Sequence, residues 1–149
     1  MNDAYTNADA LAQAVGKAMY SRDTAVIALG MTVTDIGPGR AQVRMPVRAD
    51  MLNGHAICHG GMVFTLADTA FAYACNAQGK VTVAAQAGIE FLLASREGDV
   101  LTATAQELTR SKRTGVYDVS VHNQRGELVA LFRGRSHETN DNVLESPSP

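Results

Sequence analysis

A single carboxylate, that of Asp68, lies inside the apolar segment CHGGMVFTLADTAFAYAC, which spans residues 58–75 and contains no lysine or arginine. Ionised carboxylates are almost never fully buried unless they are paired or hydrogen-bonded, because removing them from water costs several kcal/mol or more. The pattern therefore predicts that Asp68 faces a solvated crevice, where it could act as a general base or a nucleophile. A structural carboxylate that caps a neighbouring loop is the alternative.

Gly60 and Gly61 mark the predicted start of a helix that carries Asp68. The first turn of a helix presents unpaired backbone N–H groups and the positive end of the helix dipole, and glycine lets a ligand approach that backbone closely. Such a helix start can hold a phosphate, or it can polarise a carbonyl whose oxygen becomes negative during attack. A tight turn is the other interpretation of the two glycines, and it is compatible with either role.

The spacing between Gly60 and Asp68 restricts how they could act on one substrate. Eight helical residues place them roughly 12 Å apart along the helix axis. A reacting carbonyl must lie about 3 Å from its N–H donor and similarly close to the attacking group. One helix therefore cannot supply both groups to one carbonyl, whereas two antiparallel copies can. A site that uses both residues must be built at a dimer interface.

Hydrophobic periodicity defines the elements that must position these residues. Leu11, Val15, Ala18 and Met19 repeat at helical spacing, and a shorter helical turn follows with Asp23 as N-cap and Gly30 as C-terminal stop. A hairpin is predicted by two segments that alternate apolar and polar residues, MTVTDI and AQVRMPV, with GPGR between them. The apolar helix that carries Asp68 is predicted to end near Gly79. Four further strands are predicted in VTVAAQAGIEFLLA, DVLTATAQELTRS, GVYDVSVHN and ELVALFRGRSHE.

This order of elements predicts one α+β domain over residues 1–149, with an N-terminal helical segment over 1–29 and a flexible tail over 141–149. A helix that is apolar on all sides must be covered on all sides, so the simplest packing wraps an antiparallel sheet around it. The open edges of such a sheet are commonly closed by pairing with a second copy.

Composition excludes several classes of protein. The net charge is −2 and basic residues are not clustered over most of the chain, which argues against nucleic acid as the main partner. The N-terminus lacks the basic and apolar regions of a signal peptide, and no stretch suits a membrane span. Cys58 and Cys75 are too few for a disulfide scaffold and are expected to be reduced. We expect a cytoplasmic protein.

Two segments carry a family resemblance. MLNGHAICHGGMVFTLADTAFAYAC (51–75) and TGVYDVSVHNQRGELVALFRGRSH (114–137) closely resemble the hotdog-fold acyl-CoA thioesterases of the phenylacetic acid degradation (PaaI) type. The resemblance implies a hotdog fold, in which an antiparallel sheet of five to six strands wraps around a central hydrophobic helix, here with an N-terminal helical extension. It also implies homodimers that pair into homotetramers.

The resemblance further implies hydrolysis of acyl-CoA thioesters without a cofactor. The expected substrate is (hydroxy)phenylacetyl-CoA or a related aryl-acyl-CoA, with medium-chain acyl groups as the alternative. Gly60 would supply the backbone N–H to the thioester carbonyl, with Gly61 beside it in the substrate site. Asp68 would activate water or attack directly, and Asn53 would help to hold the water or the substrate. A purely structural role in the Asn53–Gly54 turn is the alternative for Asn53.

Basic residues form one local cluster, RSKR at 110–113. An ordinary solvated turn is the default interpretation of such a run. The alternative is that Arg110, Lys112 and Arg113, together with Arg133 or Arg135, bind the phosphates of coenzyme A, which a protein of net negative charge would need to attract locally.

His59 bears on the competing functions. It is expected to orient the loop by hydrogen bonding, with contact to substrate as a second role. His55 and His59 also suggest a metal site, but zinc would need further ligands at suitable spacing, so we predict none. An acyl-CoA hydratase or dehydratase of the same fold, which would pair a histidine with a carboxylate, and a non-catalytic acyl-CoA-binding protein remain alternatives.

Overall fold

The computed structural model describes residues 7–145, which form three α-helices and six β-strands. The predicted helical segment over 1–29 is helical at 8–20 and 24–28, and its first six residues lie outside the described residues. The elements in chain order are α1 (Ala8–Tyr20), α2 (Thr24–Ala28), β1 (Thr32–Gly37), β2 (Arg40–Pro46), a 3₁₀ turn (Ala49–Met51), α3 (Gly60–Asn76), β3 (Lys80–Phe91), β4 (Val100–Ser111), β5 (Thr114–His122) and β6 (Leu128–Asn142).

The two N-terminal helices begin at side chains that accept hydrogen bonds from otherwise unpaired amides. Asn7 accepts from the Asp9 N–H at 2.8 Å, and the predicted N-cap Asp23 accepts from the Val26 N–H at 3.3 Å. Helix α2 ends before Gly30, which has a φ of 67° and so adopts a conformation that glycine tolerates best. Helix α1 packs against β1 and α3 and so covers one side of the core.

The six strands form one antiparallel sheet in the order β1-β2-β4-β5-β6-β3. Strands β1 and β3 are therefore its two edges. The predicted hairpin between β1 and β2 turns at Gly39, whose φ is 68°. Strand β3 pairs with β6, which is three strands later in the chain, so the ladder that ends the sheet is formed by residues far apart in sequence.

Helix α3 lies in the concave side of the sheet and contacts all six strands. Its buried side chains are mostly small or apolar, which agrees with the prediction of a helix covered on all sides. The sheet makes room for the Phe71 ring at Gly134 of β6, where a Cβ atom would lie 2.8 Å from that ring. The predicted α+β architecture, a sheet around a hydrophobic helix, is confirmed.

Helix α3 runs alongside the edge strand β3 in the opposite direction. At one end, the ring of Phe91 packs against Gly60. At the other end, the Asn76 side chain donates to the Thr82 carbonyl at 2.9 Å and accepts from the Thr82 N–H at 2.8 Å. The start of the helix therefore lies at the end of β3, and the end of the helix lies at its start.

Two predicted boundaries differ from the structure. The tail was expected to begin at residue 141, but β6 extends to Asn142, and Val143 is buried and donates its N–H to the Gly79 carbonyl at 2.8 Å. The last four residues lie outside the described residues. Strand β3 ends at Phe91, three residues before the predicted end, because Leu92 and Leu93 both donate to the Val129 carbonyl and so leave the regular ladder.

Among the helices of residues 7–145, none combines the length and the apolar character needed to cross a bilayer. Cys58 and Cys75 are buried free thiols, as predicted.

Candidate active site

The loop before α3 is folded around the side chain of Asn53. Its Oδ1 accepts from the His55 N–H at 2.9 Å and from the Ile57 N–H at 3.4 Å, and its own N–H donates to the Ile57 carbonyl at 2.8 Å. These bonds close a tight loop that ends in a bridge between Leu52 and Cys58. The turn role of Asn53 is thus present, while its Nδ2 group donates no hydrogen bond within residues 7–145 and is available to a ligand.

His59 is the N-cap of α3 and uses one ring nitrogen to do so. Its Nδ1 accepts from the Gly61 N–H at 3.3 Å, and its carbonyl accepts from the Met62 N–H at 2.9 Å. The Gly61 amide is therefore already paired inside the chain. The Gly60 amide donates no hydrogen bond to residues 7–145, so of the two glycine amides only that of Gly60 remains for a ligand.

The Gly60 backbone lies under an aromatic ring. A Cβ atom at this position would lie 3.1 Å from Cζ and 3.4 Å from Cε1 of Phe91, so the ring occupies space that a side chain would need. Phe91 itself is 57% exposed. Gly60, which is half-buried, thus lies beside an apolar wall.

Asp68 lies two turns further along α3 and is half-buried. Among the hydrogen bonds and ion pairs of residues 7–145, none involves its carboxylate. Burial therefore acts on the carboxylate without compensation and raises its pKa. A carboxylate with a raised pKa and free oxygen atoms is suited to accept a proton from water or to attack an electrophile directly.

Asp68 opens onto a cavity of about 730 Å³ between α3, β3, the end of α1 and the end of β6. Apolar side chains of α3 and β3 form most of its wall, and polar side chains lie at the far end. The lining residues are Met19, Arg22, Asp68, Phe71, Ala72, Cys75, Asn76, Val81, Thr82, Val83, Ala84, Asp141, Asn142, Val143 and Glu145. Asp68 therefore faces a cavity within a single chain.

The basic cluster lies in the turn between β4 and β5, with its three side chains exposed. Arg110 is 3.8 Å from a Glu138 carboxylate oxygen, and Arg113 donates to the Glu138 carbonyl at 3.4 Å. The turn borders the end of β6, at the same end of the sheet as the start of β3. It is thus on the side of the Asp68 cavity, and Gly60 of the same chain lies towards the opposite end.

Sequence reasoning missed two parts of this site. The contact between Phe91 and Gly60 depends on how α3 lies along β3, and the contribution of Arg22 and Met19 to the cavity depends on how α1 packs on α3. No local signal reports either arrangement. Residues 7–145 contain no group of three or more His, Cys, Asp or Glu side chains that could hold a metal ion.

Comparison with known proteins places this arrangement in a family. The model of the thioesterase superfamily matches residues 55–130, which include α3 and most of the sheet. The chain belongs to the thioesterase superfamily. The match confirms the family predicted from the two segments of sequence and, with it, the hotdog fold and the enzyme class.

Individual members are similar over most of the chain. The acyl-coenzyme A thioesterase PaaI of Escherichia coli is 54% identical over 120 residues, which are 80% of this chain and 86% of that protein. The structure of the E. coli PaaI protein from the phenylacetic acid degradation operon superposes with a TM-score of 0.90, 48% identity, and coverage of 91% of this chain and 99% of the other. A hypothetical thioesterase from Streptococcus pneumoniae with coenzyme A superposes with a TM-score of 0.71 at 28% identity, over 73% of this chain and 88% of the other.

Proposed function

We propose that this member of the thioesterase superfamily hydrolyses acyl-CoA thioesters, with (hydroxy)phenylacetyl-CoA or a related aryl-acyl-CoA as substrate, to the free acid and coenzyme A. One observation carries the proposal. A single buried helix bears a free amide at its start, Gly60, and an unpaired carboxylate at its middle, Asp68, that opens onto a largely apolar cavity. The names of the E. coli and S. pneumoniae relatives support acyl-CoA as the substrate class.

In the proposed mechanism, the thioester carbonyl accepts a hydrogen bond from the Gly60 N–H, which is reinforced by the positive end of the α3 dipole. Asp68 takes a proton from water as the water attacks the carbonyl carbon, or its carboxylate attacks that carbon itself. The tetrahedral oxyanion collapses with release of the CoA thiolate; in the second route this leaves a mixed anhydride on Asp68, which water then hydrolyses to the free acid. The Nδ2 group of Asn53, which donates no hydrogen bond within residues 7–145, would donate to the water or the substrate. Water is the only co-reactant required.

Two chains are required for this chemistry. Because Gly60 and Asp68 are roughly 12 Å apart on a straight helix, the amide and the carboxylate that act on one carbonyl must come from different copies. The exposed edge strand β3 offers the surface for pairing, since it runs alongside α3 and carries exposed apolar side chains at Val83 and Phe91. Antiparallel pairing of β3 with its copy would continue the sheet across a two-fold axis.

The position of this axis follows from the same spacing. For Gly60 of one chain to face Asp68 of the other, the axis must pass near the midpoint of the two residues, Phe64, which is about 6 Å from Gly60 along α3. On β3, Phe91 is the residue that lies beside Gly60, and the residue about 6 Å from it along the strand is Ile89. We therefore place the axis near Phe64 and Ile89. Light scattering of the purified chain tests the dimer and the further proposal that dimers pair into a homotetramer.

The coenzyme A end of the substrate is assigned to the basic cluster. Arg110, Lys112 and Arg113 are exposed, and their turn lies on the side of the sheet that holds the Asp68 cavity. The ion pair between Arg110 and Glu138 is long, at 3.8 Å, so a phosphate could replace it at little cost, whereas Arg113 would also have to release its hydrogen bond to Asn140 Oδ1. A cytoplasmic location is part of the same proposal.

One experiment separates the proposal from its alternatives. The purified chain is incubated with phenylacetyl-CoA, 4-hydroxyphenylacetyl-CoA, hexanoyl-CoA and crotonyl-CoA, and both CoA release and loss of the enoyl absorbance are followed. We expect CoA release, and a reduction of kcat by about 10²–10⁴ in Asp68→Asn. The matched control Asp118→Asn, which alters an exposed carboxylate bound to Arg133, should leave kcat unchanged.

The alternatives give different results in the same assay. Hydration of crotonyl-CoA without CoA release would indicate a hydratase, and tight binding without turnover would indicate a binding protein. The use of the His59 Nδ1 as the acceptor for Gly61 favours thioester hydrolysis over hydration, because a histidine that caps its own helix is not free to shuttle a proton through that nitrogen.

A further inference from the structure

We propose that Phe91 is a specificity-determining residue, whose ring forms the wall of the site beside the Gly60 amide and favours aromatic acyl groups over straight-chain ones. This inference rests on the proposed thioester hydrolysis and adds a residue to it that neither the motif around Asp68 nor the basic cluster contains.

The first argument is the contact between the ring and the amide-bearing residue. Three ring atoms of Phe91 lie 3.1–3.6 Å from the place where a Cβ of residue 60 would be. Since N and Cβ of one residue are separated by two bonds, the Gly60 nitrogen lies within about 6 Å of the ring edge. A carbonyl oxygen bound at about 2.9 Å from that nitrogen places the attached acyl group within reach of the ring.

The second argument is the exposure of the ring. Phe71 and Phe132 are 1% and 2% exposed and pack against each other in the core, whereas Phe91 is 57% exposed. Leu92 and Leu93, which follow it, are 53% and 41% exposed. A large apolar ring that packs beside Gly60 and still faces solvent is available to a ligand or to a second chain.

The third argument joins the two chains of the proposed dimer. With the axis near Ile89, the partner subunit's Gly60 faces Asp68, so the partner subunit's Phe91 lies at the mouth of the cavity that Asp68 opens onto. The aryl ring of a phenylacetyl group begins one carbon beyond the carbonyl and would pack against the partner subunit's Phe91, whereas a thin alkyl chain would make fewer contacts with that ring.

The test compares Phe91→Ala and Phe91→Leu with the wild-type chain on phenylacetyl-CoA and hexanoyl-CoA. We expect kcat/KM for phenylacetyl-CoA to fall three- to tenfold in both variants, mostly through KM, and kcat/KM for hexanoyl-CoA to change less than twofold in Phe91→Leu. Leu108→Ala, at an exposed leucine of β4 with 52% exposure, is the control and should leave both values unchanged.

Binding of the non-hydrolysable ether analogues of the same two substrates, measured by calorimetry, separates this inference from the proposed function. If the Phe91 variants bind the phenylacetyl analogue more weakly but bind the hexanoyl analogue as the wild type does, the role of Phe91 is supported, whether or not the wild-type chain hydrolyses the substrates. Equal effects on both analogues, or no effect of Phe91→Leu on either, would overturn it. Absence of CoA release by the wild-type chain would instead count against the proposed function.

Discussion

Replacement of Gly60 by proline tests the proposed oxyanion donor with little effect on the fold. Gly60 is the first residue of α3, a position where the missing N–H of proline removes no intrahelical bond and its fixed φ suits the helix. The preceding residue, His59, has φ −59° and ψ 134°, the extended conformation that a following proline requires. Gly60→Pro should therefore keep α3 and delete the N–H that the proposed mechanism uses.

The size of the effect can be worked out from the contacts. Loss of one oxyanion donor costs about 10²–10³ in kcat. Steric disturbance is limited, because the added Cβ would lie 3.1 Å from a ring that is 57% exposed and can move by a few tenths of an ångström. Gly60→Ala adds the same Cβ and keeps the N–H, so it serves as the matched control. The ratio of kcat between the alanine and proline variants reports the loss of the N–H together with the exclusion of the carbonyl oxygen by the Cδ atom that replaces its hydrogen.

The assay is CoA release from phenylacetyl-CoA at saturating substrate, with the melting temperature and the oligomeric state measured for each variant. We expect the proline variant to be about 10²–10³ slower than the alanine variant, with both chains assembled and similarly stable. Equal kcat values for the two variants would refute the assignment of the Gly60 amide as the oxyanion donor. In that case the remaining role of Gly60 would be to leave space for the Phe91 ring.

Three further predictions address the composite site, the coenzyme A contacts and the pH dependence. Gly60→Pro and Asp68→Asn chains, mixed in equal amounts and allowed to exchange subunits, should recover about a quarter of wild-type activity. Half of the dimers are then hybrids, and each hybrid has one intact site out of two. Demonstrated exchange without recovery would place both residues of a site in one chain. Arg110→Ala, Lys112→Ala and Arg113→Ala should raise KM for acyl-CoA more than for the pantetheine thioester, which lacks the nucleotide phosphates; equal increases would indicate a structural role. Asp68→Asn should be more stable to urea than wild type at pH 7 and no more stable at pH 3. Burial raises the pKa of Asp68 in the folded chain, so the ionised carboxylate destabilises the fold only above the pKa of the unfolded chain. A difference in stability that does not change with pH would contradict this.

The ends of a helix could be predicted from the sequence where a single residue determines the boundary. Asp23 caps α2 and Gly30 follows its end, and the glycine pair marks the start of α3, because capping and left-handed turns depend on the residue itself. The placement of an amide and a carboxylate on one buried helix also followed from sequence, since helical spacing fixes their separation.

The remaining features depend on contacts between distant residues. The sequence predicts a tail over 141–149, but β6 extends to Asn142 because the edge strand β3 supplies a partner for that residue, Lys80. The use of the Gly61 amide by the His59 ring depends on the backbone conformation of the loop. The packing of Phe91 on Gly60 depends on the direction of α3 along β3. A single sequence contains no local pattern for any of these contacts.

The contact of α3 with all six strands means that the candidate catalytic groups share the rigidity of the whole domain. Amide hydrogens in the middle of a helix buried in this way exchange with solvent only when the sheet opens, which is the cost of global unfolding. Displacement of Asp68 along the helix axis would therefore require the loss of the core, and no hinge within α3 can adjust the distance between the carboxylate and the substrate. Adaptation to different acyl groups is left to the surfaces around the helix, such as β3 and the end of α1, which can change without moving the carboxylate.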